Sequence, residues 1–261
     1  MDVDTSPILV QERRDAVLSL HLNRPGAYNS LSHGLLQALL DALQGAEADP
    51  EIRVIVVSGE GKAFCAGHDL KEIGADRREE ALKELFSLCS TMMVQISRQP
   101  QPVIAKVDGI ATAAGCQLVA ACDLAIATER SRFATSGVKY GLFCSTPMVA
   151  LSRNVPRKAA MEMLLTGDFI DAAEAWRLGL INQHVPENQL DEAIDALVAR
   201  LIDKPADVLA MGKRAFYSQL EMGLDEAYQF TTGVIIDNAL GPAFEEGLDA
   251  FVNKRQPQWN K

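Results

Sequence analysis

The chain has 261 residues, 48% of them hydrophobic, and is therefore long enough to bury a large core in one domain or in a domain with a smaller appendage. Its 25 basic and 35 acidic residues give a net charge of −10, which argues against unspecific binding to nucleic acid or to an anionic membrane. The five cysteines lack the spacing of a disulfide framework. The sequence shows neither a secretory or transit pattern near residue 1 nor an apolar run of the roughly 18 residues that span a bilayer. These features predict a cytoplasmic location with reduced thiols.

The first half of the chain alternates between predicted strands and helices. Polar–apolar alternation or β-branched runs predict strands at 16–22, 52–57, 103–107 and 124–128. A helix is predicted over about 32–44, and three-four apolar spacing predicts another between 79 and 97, with Met92 and Met93 in the core. Repeated strand–helix units of this kind indicate an α/β architecture.

The second half is mostly helical. Helices are predicted near 156–165, 171–178, 187–202, 205–219, 224–238 and 242–254, interrupted by the apolar segment 180–185. A helical tail can cap the core or pack on a neighbouring copy of the chain, and the pattern alone is compatible with both.

One segment, DGIATAAGCQLVAACD over 108–123, joins a glycine- and alanine-rich turn to an apolar helix. The start of a helix presents unpaired backbone N–H groups and a positive dipole end. Small residues there either let a ligand reach the main chain, as an oxyanion-binding site requires, or permit close packing of a buried helix. A second segment, KAFCAGHDLKE over 62–72, again joins a glycine-bearing loop to a helix start after a core strand.

With these two segments in this order, the chain resembles the crotonase family, also called the enoyl-CoA hydratase/isomerase superfamily. The similarity includes LNRP at 22–25, NSL at 29–31, FAT at 133–135, LLTG at 164–167 and FVNKR at 251–255. The resemblance implies an α/β spiral of repeated ββα units over 1–200 and a C-terminal helical trimerisation region over 201–261. A homotrimer or a dimer of trimers is expected, with an acyl-CoA thioester as ligand and no other cofactor.

The resemblance also implies roles for individual residues. The backbone N–H groups of His68 and Ala114 would hold the thioester oxygen as it gains enolate character, and losing one such donor would cost on the order of 3 kcal/mol at the transition state. A backbone strip would cradle the adenine of coenzyme A, formed by Ala63, Phe64, Ala66, Asp69 and Leu70, with Lys71 as the basic group near it. Arg24 is a candidate for the phosphate-bearing end, and Phe251 with Lys254 resembles the pair that reaches the coenzyme A of a neighbouring subunit.

The sequence departs from the family at two positions. Family hydratases carry two glutamates that move water across the double bond, and here the corresponding positions are Gln117 and Gly137. Glutamine exchanges no proton near neutral pH, and glycine has no side chain. We therefore expect slow or absent hydration of crotonyl-CoA, and we expect that restoring both glutamates raises it.

Three other side chains leave alternatives open. The imidazole of His68 either reaches the acyl pocket, in a loop similar to that of methylmalonyl-CoA decarboxylases, or packs away from it. Cys144 either acts as a nucleophile or weak acid or fills space as a buried thiol. Cys65 and His68 have C-x-x-H spacing without a second pair of ligands, so no metal site is predicted.

Three functions follow from these features. The first is an acyl-CoA lyase that relies on oxyanion stabilisation, with weak hydratase or isomerase turnover or decarboxylation of a malonyl-type thioester. The second is a non-catalytic acyl-CoA-binding protein on an enzyme fold. The third is a thioesterase that uses Cys144 with His68 as its base.

Overall fold

The structure is a computed structural model that describes residues 6–259. Its main sheet has the order β1-β2-β3-β5-β7-β10, in which β1 is antiparallel to β2 and the remaining neighbours are parallel. A smaller sheet has the order β4-β6-β8-β9. The strands are β1 Leu9–Arg14, β2 Val17–Leu22, β3 Val54–Gly59, β4 Ala63–Cys65, β5 Val103–Val107, β6 Ile110–Thr112, β7 Leu124–Thr128, β8 Arg132–Ala134, β9 Ile170–Asp171 and β10 Gln183–Val185.

Successive strand pairs explain the two sheets. The pairs β3–β4, β5–β6 and β7–β8 each place their first strand in the main sheet and their second in the small sheet. A helix follows each pair and returns the chain to the start of the next strand. The structure thus confirms the predicted α/β spiral of repeated ββα units.

The helices agree closely with the predicted positions. They are α1 His33–Glu47, α2 Leu70–Ala75, α3 Glu79–Arg98, α4 Ala114–Ala121, α5 Pro147–Asn154, α6 Arg157–Thr166, α7 Ala172–Leu178, α8 Leu190–Ile202, α9 Ala206–Gln219, α10 Leu224–Ala239 and α11 Pro242–Val252. Side-chain caps begin several of them, as at Ser32, which accepts from the Leu35 amide.

The main sheet is buried on both faces. One face packs against α1, α3 and α4, and the other packs against α8 through Val54, Val56 and Ile104. Met92 and Met93 lie in the first of these layers, as predicted. Burial on both faces explains why β3 is an unbroken run of apolar residues, since neither face needs polar side chains.

Sequence patterns missed β1, the short strands of the small sheet and helix α5. The small-sheet strands have only two or three residues each, which is too short to show an alternating pattern. Strand β1 has mostly exposed side chains, because it forms one edge of the main sheet.

The helices α9, α10 and α11 follow the core, in the region 201–261 that we predicted to be helical. This boundary at residue 200 stays a prediction, and the outermost residues of the two predicted regions, 1–5 and 260–261, lie outside the described residues. Between residues 6 and 259, no helix combines the length and apolarity needed to cross a bilayer.

Candidate active site

The loop that carries His68 is held in place by the segment that follows β2. The Ala66 amide donates to Tyr28 O at 3.0 Å, the Leu31 amide to Gly67 O at 2.7 Å, and the Asp69 amide to Leu31 O at 3.1 Å. These bonds run along one side of the loop as a short parallel bridge between Leu31 and His68. Backbone hydrogen bonds therefore fix the position of this loop, as they would fix a strand, although the loop belongs to neither sheet.

This pairing determines where the His68 amide points. Gly67 O points toward Leu31, and the N–H of a trans peptide points opposite to its C=O. The N–H of His68 is therefore directed away from Leu31. The start of α4 packs directly against Gly67. A Cβ added to this glycine would lie 3.2 Å from Ala114 N and 2.8 Å from Ala113 Cβ.

A sharp turn starts helix α4. Ala113 has φ 51° and ψ −119°, a conformation that L residues rarely adopt and that costs roughly 1–3 kcal/mol. Its amide donates to Ala134 O at 2.9 Å, and its carbonyl accepts from the Gln117 amide. A Cβ on Gly115 would lie 2.0 Å from Cys65 O, so only glycine allows α4 to begin this close to β4.

The result is a pair of free backbone donors on two adjoining loop ends. Within residues 6–259, neither the His68 amide nor the Ala114 amide donates a hydrogen bond. Ala114 is the first residue of α4, where helix amides have no internal acceptor. Two fixed amides of this kind can stabilise an oxygen atom that gains negative charge without reorganising.

The imidazole of His68 lies in an apolar environment. It contacts the Phe86 ring edge-to-face, with 5.1 Å between ring centroids. Both ring nitrogens are buried and have no hydrogen-bond partner among the described residues. Burial lowers the pKa of His68 to about 4, so the ring is neutral at physiological pH.

The two positions that differ from family hydratases are both close to this turn. Gln117 is buried three residues after Ala114, and its Oε1 has no partner in the part of the chain that the structure describes. At Gly137, an added Cβ would meet Leu142 O at 2.3 Å and Cys144 Sγ at 2.9 Å. A glutamate at residue 137 would therefore require the loop 141–144 to move, which weighs against the expectation that restoring both glutamates raises hydration.

Cys144 is buried, and burial raises its pKa above the ordinary value for a thiol. Cys65 and Cys116 are more enclosed, and burial raises the pKa of each to about 12. All five cysteines are free thiols. The described residues contain no group of three or more His, Cys, Asp or Glu side chains suited to a metal ion.

The residues predicted to bind coenzyme A fall into two groups. Near His68, Ala63 and Phe64 are buried in β4, Ala66 is half-buried, and Leu70 and Lys71 are exposed at the start of α2. Phe251 and Lys254 lie at the end of α11, where the Phe251 side chain is 82% exposed. Their roles in binding stay predictions.

Arg24 and Asp69 form a feature that sequence reasoning missed. Arg24 Nη2 donates to Asp69 Oδ2 at 2.8 Å, and Nη1 donates to Ser30 O at 2.5 Å. Asn29, fully buried with φ 53°, donates to Glu60 O and Ala63 O. The NRP and NSL motifs were visible in the sequence, but their partners lie too far along the chain to be recognised from spacing.

Comparison with known proteins agrees with the fold and with the family resemblance. The family model "Enoyl-CoA hydratase/isomerase" matches residues 12–261, and the chain belongs to this family. It is 44% identical to enoyl-CoA hydratase domain-containing protein 3 of Rattus norvegicus over 98% of this chain and 86% of that protein. The crystal structure of the human protein of that name has a TM-score of 0.94 and 42% identity over 97% of this chain and 100% of that one. An enoyl-CoA hydratase structure from Mycobacterium smegmatis has a TM-score of 0.96 and 50% identity over 98% and 100%.

These relatives correct one prediction. The rat, frog, mouse and human proteins are each named as mitochondrial, which contradicts the cytoplasmic location predicted above. The prediction was wrong because it relied on composition and charge. A cell reads the compartment from a short targeting segment, and overall composition and net charge do not encode that information.

Proposed function

We propose that this protein binds an acyl-CoA thioester and stabilises its enolate between the backbone N–H groups of His68 and Ala114. It would act as a lyase of fatty-acid or acyl-CoA metabolism, with coenzyme A entering as part of the substrate. The observation that carries the proposal is the pair of amides without acceptors at two adjoining loop ends. Removing one donor of this kind typically costs about 3 kcal/mol of transition-state stabilisation.

The residues around these amides favour chemistry that needs little proton transfer. Gln117 cannot act as an acid or base, and the loop 141–144 leaves no room for a side chain at Gly137. The high pKa of Cys144 weighs against a thioesterase, because the protonated thiol is a poor nucleophile. Among the crotonase reactions, decarboxylation of a malonyl-type thioester fits best. Cleavage of the bond to the carboxylate releases CO₂ and leaves the electron pair in the enolate, which then takes a proton from water to give the acyl-CoA product.

One observation favours decarboxylation specifically. The His68 ring beside the proposed oxyanion hole is neutral at physiological pH, and Gln117 is an uncharged amide, so neither side chain would supply a positive charge to the starting carboxylate. An unpaired carboxylate in such surroundings is destabilised relative to the enolate and CO₂ that replace it.

A mass-spectrometric screen of the purified protein against enoyl-, hydroxyacyl-, malonyl- and methylmalonyl-CoA tests the proposal. We expect CO₂ loss from a malonyl-type thioester and hydration of crotonyl-CoA far below the kcat/KM of about 10⁶ M⁻¹s⁻¹ that efficient enzymes reach. Efficient hydration would contradict the mechanism. Tight binding without any product would instead support the non-catalytic alternative.

Two variants refine this screen. Gln117→Glu with Gly137→Glu should not raise hydration, because the second side chain displaces Leu142 O and thereby disturbs the pocket. Cys144→Ala should leave turnover of every accepted thioester unchanged. A large loss of turnover in Cys144→Ala would favour the thioesterase mechanism.

We also propose that the C-terminal helices assemble the protein as a homotrimer or a dimer of trimers. Large apolar side chains are exposed along these helices, among them Leu224, Tyr228, Ile235, Leu240 and Phe251. A soluble monomer rarely exposes this much contiguous apolar surface. Phe251 and Lys254 would then approach the coenzyme A of a neighbouring subunit.

A further inference from the structure

The ion pair between Arg24 and Asp69 lies beside the loop that carries His68. The two residues are 45 positions apart in the sequence, and both side chains are largely buried. The backbone of Arg24 is fixed as well, because its amide donates to Asn29 Oδ1 at 2.8 Å. The guanidinium therefore extends from a rigid turn toward the loop.

Asp69 is held from three directions. Its Oδ2 accepts from Arg24, its Oδ1 accepts from the Lys71 amide at 3.0 Å and so caps helix α2, and its own amide donates to Leu31 O. The hydrogen bond from Arg24 holds the pKa of Asp69 below its ordinary range, so the carboxylate is charged. Each of these contacts restricts rotation of the backbone on the C-terminal side of His68.

On the N-terminal side, the bond from the Leu31 amide to Gly67 O fixes the peptide plane between Gly67 and His68. Arg24 Nη1 also donates to Ser30 O, which lies immediately before Leu31. One guanidinium thus anchors both strands of the bridge, Ser30 on one and Asp69 on the other.

We propose that Arg24 and Asp69 are positioning residues that aim the His68 amide at the thioester oxygen. This inference rests on the proposed oxyanion hole and adds a residue pair on which its geometry depends. Without the ion pair, the loop would keep its helix cap but lose the contact that joins it to the turn at Arg24. The His68 N–H would then sample a wider range of directions, and the thioester oxygen would be bound by Ala114 alone.

The substitution Asp69→Asn separates the ion pair from the helix cap. The new amide keeps an oxygen for the Lys71 N–H, and asparagine is a good N-cap, but its NH₂ group cannot accept from Arg24. Arg24→Met removes this contact from the other side and also the hydrogen bond to Ser30 O. If Asp69 acts through Arg24, the double variant should be no worse than Arg24→Met alone.

The readout compares butyryl-CoA with S-butyl-CoA, a thioether of equal chain length without the carbonyl. In the unmodified protein, we expect tighter binding of the thioester, together with a shift of its ¹³C-labelled carbonyl stretch to lower frequency. In Asp69→Asn and Arg24→Met, this preference should fall about tenfold, the size of one weakened hydrogen bond, and the frequency shift should shrink. The thioether is the reference for each protein, because a lost contact of Arg24 or Asp69 with coenzyme A would weaken both ligands equally and leave the ratio of their affinities unchanged.

Asp49→Asn is a matched control. Asp49 also pairs with an arginine through Oδ2, Arg13 at 2.9 Å, and also accepts a backbone amide through Oδ1, from Glu51 at 2.9 Å. We expect no change in thioester preference for this variant. An unchanged carbonyl shift in folded Asp69→Asn and Arg24→Met would overturn the positioning role alone. Absence of any carbonyl shift in the unmodified protein would overturn the oxyanion hole and, with it, this inference.

Discussion

At the scale of single residues, His68 contributes through two chemically separate groups. Its backbone N–H is directed by hydrogen bonds to neighbouring residues, whereas its ring lies against Phe86 with both nitrogens unpartnered. An unsatisfied buried polar group typically costs about 1–3 kcal/mol, so it is normally retained only where it serves a purpose. The neutral ring lowers the local polarity of the proposed acyl pocket while the amide supplies the donor.

The buried ring predicts acid sensitivity. In the folded protein the pKa of His68 is about 4, below the ordinary histidine value of 6.5. Between these two pH values, His68 therefore binds a proton in the unfolded chain but not in the native state. The contribution of His68 to the free energy of unfolding should be fully present above pH 6.5. It should fall by up to about 3 kcal/mol as the pH decreases toward 4.

Chemical denaturation of the unmodified protein and of His68→Phe, measured between pH 7 and pH 4, tests this. We expect a flatter pH dependence in the variant, because phenylalanine does not titrate. Equal loss of stability in both proteins would show that other groups cause the acid response.

At the scale of elements, helix α9 is joined to the core by a buried polar network. Lys213 Nζ donates to Asp123 Oδ2 at 2.6 Å and to the carbonyls of Ile96 and Gln101 at 2.9 Å each, and Tyr217 OH donates to Asp123 Oδ1 at 2.9 Å. Asp123 also accepts from the Val103 amide at the start of β5. The first of the C-terminal helices is thereby fixed to α3 and to the main sheet.

Lys213→Met should lower the free energy of unfolding by about 3–5 kcal/mol, because it leaves the Asp123 carboxylate buried without its cation. The control Lys204→Met removes an exposed pair with Asp203 and should cost less than about 1 kcal/mol. Urea denaturation measures both. If the two variants lose the same stability, the buried pair has no special role.

Two glycines allow helix α4 and the loop after β4 to approach each other closely. Helix α4 can begin against β4 because Gly115 has no side chain, and the loop after β4 can approach α4 because Gly67 has none. Two ββα units therefore bring their loop ends together at one place. The two amides are neighbours because successive units of the spiral are stacked.

At the scale of the whole molecule, apolar side chains are unevenly distributed. They are buried throughout the core, whereas α10 exposes Leu224 at 73% and Ile235 at 67%, and Leu240 directly after this helix is 82% exposed. Such a surface is characteristic of a subunit interface.

Ile235→Asp should dissociate the assembly, because it places a charge in the apolar interface. Light scattering coupled to size exclusion should report a fall to the mass of a single chain. Met161→Asp alters an apolar side chain on α6 that is also exposed, at 48%, and should leave the mass unchanged. A single-chain mass for the unmodified protein would contradict the proposed trimer.

The sequence by itself determined the main strands and most helices, the two small-residue turns and membership of the family, but it missed β1, the small-sheet strands and α5. These features depend on local periodicity and on residue types at short spacing, which are legible along one stretch of chain. It also predicted that Gln117 and Gly137 replace the two glutamates of family hydratases, and this stays a prediction. The sequence did not determine the subcellular compartment, because amino-acid composition does not encode it.

The tertiary structure decided the direction of the His68 amide, the pairing of Arg24 with Asp69 and the closure of the loop 141–144 over Gly137. Each of these depends on contacts between segments distant in sequence, such as the 45 positions between Arg24 and Asp69. Hydrogen-bond direction and steric room are properties of packed neighbours, and no local pattern encodes them. From the sequence, Gly137 is simply a residue without a side chain. In the fold, the Leu142 carbonyl and the Cys144 thiol occupy the space that a side chain at this position would need.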